Sequence, residues 1–183
     1  RWALPIKTGA TLEAVPAQAL ALPRTVDKIA VDASKGFDAA AAVTAEQTVR
    51  GDEAFQWQGE LAAMTPEDAE RAQKAYWKGE HDWVEPKQVA WRYDEAQKVL
   101  VLSMTGEGKP DWEGDAQNGR VLSIYHAGFS PPAEHKRPAE QDQNAPWVTR
   151  FPSHVCYITL IRLPAVDPAK WRWTYRAAPV NRR

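Results

Sequence analysis

The sequence predicts a mainly β (α+β) fold: an antiparallel β-sandwich of about seven or more strands with one inserted α-helix over residues 65–78. Three observations predict it. Stretches of alternating apolar and polar residues recur from Asp27 to the end of the chain, each the length of one strand. Only Thr65–Lys78 carries helix signals at both ends. Clusters of Gly, Pro, Asn and Asp separate the strand candidates. No internal repeat is visible.

Residues 1–26 read as an N-terminal arm or interdomain linker, interrupted by Pro5, Pro16 and Pro23, and residues 27–183 as the sandwich. In DKIAVDA, Ile29 and Val31 alternate with polar neighbours. In Ala41–Arg50, Val43, Ala45, Gln47 and Val49 share one face, and Gly51-Asp52 reads as a turn. Thr65 is a good N-cap, Pro66 suits the first helical turn and Asp68 closes the cap three residues on. Acidic residues follow the cap, Lys74 and Lys78 lie towards the other end, and Gly79 is the stop signal. The helix's small apolar face, Ala69, Ala72 and Tyr76 beside Trp77, suits a place on a sheet or at one end of a sandwich.

Next, KQVAWRYD and KVLVLSMTG form a hairpin across a four-residue loop, the second strand apolar on both faces as a central strand is. Gly106–Gly119 has the composition of a loop, and RVLSIYHAGF reads as a strand. Residues 128–146 are polar, hold four prolines and read as a functional or mobile loop. HVCYITLIRL and KWRWTYR close the chain as strands, the last with Trp171, Trp173 and Tyr175 on one face.

Composition narrows the function. The 183 residues carry 23 Lys+Arg against 24 Asp+Glu, which gives no electrostatic case for nucleic acid or an anionic membrane. No apolar run reaches the ~18 residues of a membrane span. The chain opens on Arg1 rather than Met, which suggests a processed product or a piece of something longer. The histidines, His81, His126, His135 and His154, have no metal-ligand spacing and no CxxC is present, so no metal or cofactor is expected. The acidic group Glu107, Asp111, Glu113 and Asp115 lacks the ligand spacing of a calcium loop.

Cys156 alternates with Ile158 and Leu160, as a small buried apolar residue does, which outweighs a nucleophile paired with His154. His81 follows the helix end, where an imidazole complements the dipole. Most of the nine tryptophans read as core. The stripe Trp171, Trp173 and Tyr175 reads as core before it reads as a sugar- or peptide-stacking surface, and Trp112 and Trp147 fall in or beside the long loops. If the chain binds a ligand, the candidate residues are Asp111, Trp112, Arg137 and Asp142, because loops on a rigid scaffold carry function. The plainer role of Arg137 is to pair with Asp142 or another acid and pin its loop.

The order of several motifs resembles a family. These are EQTVRGDEA over 46–54, AERAQKAYWKGEHDWVE over 69–85, WRYD over 91–94, TGEGKPDW over 105–112, RPAEQDQNAP over 137–146 and IRLP over 161–164. Together they resemble the β-sandwich module of unknown function that accompanies transglutaminase-like domains in bacterial multidomain proteins, over about two thirds of the chain. The arm LPIKTGATLEAVP resembles the stretch that follows the transglutaminase-like domain. The resemblance implies a periplasmic or extracellular parent with a papain-like Cys-His-Asp domain outside this chain. All four histidines precede Cys156, the reverse of the family's catalytic order, so no catalytic residue carries over. The expectation is a non-catalytic accessory module whose partners are neighbouring domains of the parent, with a carbohydrate- or peptide-binding module as the alternative.

Overall fold

The computed structural model describes residues 2–14, 20–115, 117–123 and 154–174. Along the chain run β1 (Trp2–Ala3), β2 (Glu13–Ala14), β3 (Thr25–Asp32), β4 (Ala41–Arg50), α1 (Asp52–Ala62), α2 (Pro66–Glu80), β5 (Val84–Asp94), β6 (Val99–Gly108), β7 (Trp112–Asp115), β8 (Gly119–Leu122) and β9 (Val155–Arg162). β1 and β2 pair within the arm, where Lys7 bonds Glu13 at 3.2 Å.

The centre is a five-stranded sheet in the order β5-β6-β4-β3-β9. Its first four strands are antiparallel neighbours, and β9 joins β3 in parallel. The period-two pattern in β4 decides which face is covered. Ala41, Val43, Ala45, Gln47 and Val49 are buried, while Ala42, Thr44 and Glu46 are exposed. Register then places Leu100, Leu102 and Met104 of β6, Val89, Trp91 and Tyr93 of β5, and Ile29 and Val31 of β3 on the same inner face. Leu100, Leu102, Met104, Val43, Val49 and Val84 are its largest fully enclosed side chains. Gly108 lets β5 and β6 approach closely, since a Cβ there would lie 2.3 Å from the Trp83 carbonyl oxygen.

Both helices lie on this inner face. α2 forms where its caps predict. The Thr65 hydroxyl accepts from the Asp68 N–H at 3.2 Å and donates to its carboxylate at 2.8 Å. Its buried residues Ala69, Gln73 and Trp77 fall at four-residue spacing. At the far end the His81 N–H donates to the Trp77 carbonyl at 2.9 Å, and the imidazole stacks on the Trp77 indole at 6.1 Å.

Two expectations are corrected. Among the described residues there are two helices, not one, because Gly51-Asp52 opens α1 instead of a turn. Gly51 is its N-cap at φ 75°, and Ala54, Trp57 and Leu61 face the core. The Gly-rich stretch 106–119 is largely strand: β6 runs on to Gly108 and β7 pairs with β8. The mainly β, α+β class holds. Helices cover the inner face of the five-stranded sheet, and the other sheets among the described residues are the two-stranded pairs β1–β2 and β7–β8. The stretch RVLSIYHAGF is seen as β8 up to Leu122, and from residue 124 on it lies outside them, as do the whole loop 128–146 and Tyr175.

Candidate functional site

One end of the sheet gathers aromatic side chains from three separate parts of the chain. The β7–β8 hairpin supplies the first. Its turn is held by Asp115, whose carboxylate accepts from the Gln117 and Asn118 N–H groups at 2.7 Å each and from the Asn118 side-chain amide at 2.9 Å. Those bonds, the Asn118 N–H first, hold the Asp115 carboxyl below the usual carboxylate range. Gly114 sits at φ 83°, and a Cβ there would lie 2.2 Å from the Gly119 carbonyl oxygen. Residues at i and i+2 share a face, so Trp112, Gly114, Arg120 and Leu122 lie on one side of the hairpin.

Phe37, in the connection between β3 and β4, is the hub. Its ring meets Trp112 edge-on at 5.2 Å, and Trp171 and Trp173 at 6.0 Å each. Trp112 and Trp173 also meet at 6.0 Å. The Arg120 guanidinium lies over the Phe37 ring, 5.3 Å from its centroid. Trp112 is buried, Phe37, Trp171 and Arg120 are half-buried, and Trp173 is 39% exposed. Among the described residues no acceptor reaches the buried Trp112 indole N–H.

Trp171 and Trp173 reach this cluster on irregular chain, not on a closing strand. The turn before them is fixed locally. The Asp167 carboxylate accepts from the Ala169 N–H at 3.0 Å, and its carbonyl accepts from Lys170 and Trp171 at 3.0 and 2.9 Å. Two rings at i and i+2 still turn to one side, as alternation predicts, but they rim the core instead of filling it.

A second polar group ties α2 to the sheet. The Tyr76 hydroxyl donates to Gln47 Oε1 at 2.8 Å, and Gln47 Nε2 donates to Asp27 at 2.6 Å. Trp57 and Trp77 flank the Tyr76 ring at 5.3 Å each. Burial pushes the Tyr76 phenol well above its usual range, and the charge of Glu80 adds to the shift. This is a structural tie between helix and sheet: phenol, amide and carboxylate bond one another.

Of the four residues expected to bind, Asp111 is exposed and adjoins the cluster in sequence, Trp112 is inside it, and Arg137 and Asp142 lie outside the described residues. Trp112 is therefore corrected from a loop residue to a packed strand residue, because pairing of Trp112 with Leu122 draws it onto the core. Phe37 and Arg120 were not singled out from sequence. Gly36-Phe37 between two strands was the available signal.

No family model, curated protein or solved structure matches this chain. What the molecule offers is thus its own geometry. Cys156 is half-buried on β9, where Ile158 and Leu160 are 38% and 51% exposed, so the expected burial of that face is corrected. A shallow hollow of about 400 Å³ lies on the same outer face, lined by Ala30, Ala42, Thr44 and Leu160 with the Asp32–Arg162 pair. Ser34 hydrogen bonds first, then Arg162, hold the Asp32 carboxyl low. Glu107 is paired with Lys87 at 2.7 Å. Among the described residues no three His, Cys, Asp or Glu side chains converge for a metal, and no helix is long and apolar enough to cross a membrane.

Proposed function

We propose that this chain is a non-catalytic accessory module that works by binding, and that the cluster around Phe37 is its contact surface. One observation carries the reading: three indoles and a guanidinium converge on one phenyl ring at the end of a rigid sheet, with Trp173 presented to solvent. Trp and Arg are the residues that dominate binding energy at protein interfaces, because each combines a large flat surface with a donor. The motif order set out above supports the finer reading, a module of a larger, exported bacterial transglutaminase-like protein whose partners are that parent's neighbouring domains.

The test is direct. Titrating the chain with the parent's separately expressed neighbouring domain should give a dissociation constant in the micromolar range, weakened about tenfold by Trp173→Ala, a loss of roughly 1.4 kcal/mol. Absence of binding would remove the interdomain role. Amide hydrolysis or transamidation by this chain alone would overturn the non-catalytic reading.

The exposed indole also favours a second reading, a carbohydrate- or peptide-binding module, since an indole face stacks on sugar rings and on peptide side chains alike. Soluble oligosaccharide and peptide panels, read by tryptophan emission, decide it. A response lost in Trp173→Ala supports it, and silence in both panels removes it.

A further inference from the structure

We propose that the Phe37 cluster takes a carboxylate set beside an aromatic ring, so that its occupant is a peptide segment of a protein partner with an acid next to a Phe, Tyr or Trp. This rests on the reading that the cluster is the contact surface, and it adds the chemistry of what lands there. The cluster is formed by Phe37, Trp112, Arg120, Trp171 and Trp173. Every polar group on these side chains is a donor. An indole offers one N–H and a guanidinium several, and neither has an acceptor. A complementary surface must therefore bring acceptors.

Arg120 decides which acceptor fits. Its guanidinium lies over the Phe37 ring, 5.3 Å from the centroid. Stacking occupies one face of that planar group and leaves its rim of N–H donors open to a carboxylate lying in the same plane. Among the described residues no carboxylate pairs with it. Asp115 is near enough to feel the Arg120 charge, but its oxygens accept from Gln117 and Asn118 in the hairpin turn. Gly114 stands opposite Arg120, so no side chain faces it across the hairpin. Trp112 adds a second donor to the cluster, a buried N–H that no acceptor reaches. Trp173, 39% exposed, supplies a flat face on which a ring can stack. A neutral amide or hydroxyl could accept one bond here, but a carboxylate answers both the charge and the fork of donors.

Matched peptides, titrated against the native chain and followed by tryptophan emission, test this. The probes are acetyl-Gly-Phe with a free terminal carboxylate, the same peptide as its amide, and acetyl-Phe-Glu-amide, which carries the acid on a side chain. An acid form should bind at least about tenfold more tightly than the neutral amide, and the form that does so tells a chain terminus from an acidic side chain. Arg120→Gln should bring the acid down to the affinity of the amide, with unchanged far-ultraviolet circular dichroism. Equal affinity for acid and amide in the native chain overturns the proposal and leaves the contact surface standing. So does silence towards every peptide while the parent's neighbouring domain binds. If that domain does not bind either, the contact surface itself fails.

Discussion

Tyr76 is the residue on which α2 and the sheet depend for their polar contact. Tyr76→Phe keeps the ring between Trp57 and Trp77 but leaves Gln47 Oε1, on a residue only 8% exposed, without its donor. The expected loss is about 1–2 kcal/mol in urea unfolding. The same phenol gives a pH signature. Its folded pKa lies above its unfolded value near 10, so its neutral form is favoured by folding. That contribution is complete below about pH 10 and is lost as pH rises from there towards the folded value. Tyr76→Phe should flatten this alkaline limb in a stability–pH series. Gly114 makes a different kind of prediction. Its φ is 83°, and a methyl group on its Cα would stand 2.2 Å from the Gly119 carbonyl oxygen. Gly114→Ala should therefore cost at least about 1–2 kcal/mol and change the near-ultraviolet circular dichroism of Trp112. Neither site was visible as such in the sequence. Tyr76 read as an apolar helix position, and Gln47 as one of four residues on a strand face. A hydrogen bond between residues 29 apart needs the packed helix before it exists.

At the scale of elements, legibility followed from how local the determining forces are. α2 carries its own start signal, and its observed span, Pro66–Glu80, departs from the expected 65–78 by one residue at the start and two at the end. Thr65→Ala should cost about 1 kcal/mol, measured as a lower thermal midpoint, because the cap bond to the Asp68 N–H disappears. α1 lacks a side-chain cap altogether and holds Gly59 in its interior. Its helicity comes from burying Ala54, Trp57 and Leu61 against β4 and β6, which short-range signals do not display. Strands β3, β4, β5 and β9 were legible from alternation, and β6 from a run apolar on both faces. Their partners were not, above all the parallel pairing of β9 with β3. At Trp171 and Trp173 the two rings share a side as alternation implies, but no strand forms, because a local turn at Asp167 and the packing on Phe37 stand in place of a ladder.

For the whole molecule, Phe37 joins parts that the backbone does not. It links the β3–β4 connection, the β7–β8 hairpin and the stretch after β9. Phe37→Ala should therefore loosen all three together. About 2–3 kcal/mol is expected, less than for a fully buried Phe, with a red shift in tryptophan emission as Trp112, Trp171 and Trp173 meet more water. A purely local role would leave the emission unchanged.

The parallel seating of β9 also sets an order of events. Thr25 and Val155, which stand side by side, are separated by 130 positions of chain, whereas β3 with β4 and β5 with β6 close over short connections. Closing so long a loop carries an entropic penalty that only the finished contact repays. The strands from β3 to β6 can thus assemble before β9 arrives, and β9, with one described neighbour, can leave while they remain. Hydrogen exchange should show this as a gradient, with the amides of β9 exchanging well before those of β4 and β6. A protein built this way keeps a folded centre through many openings of one border strand.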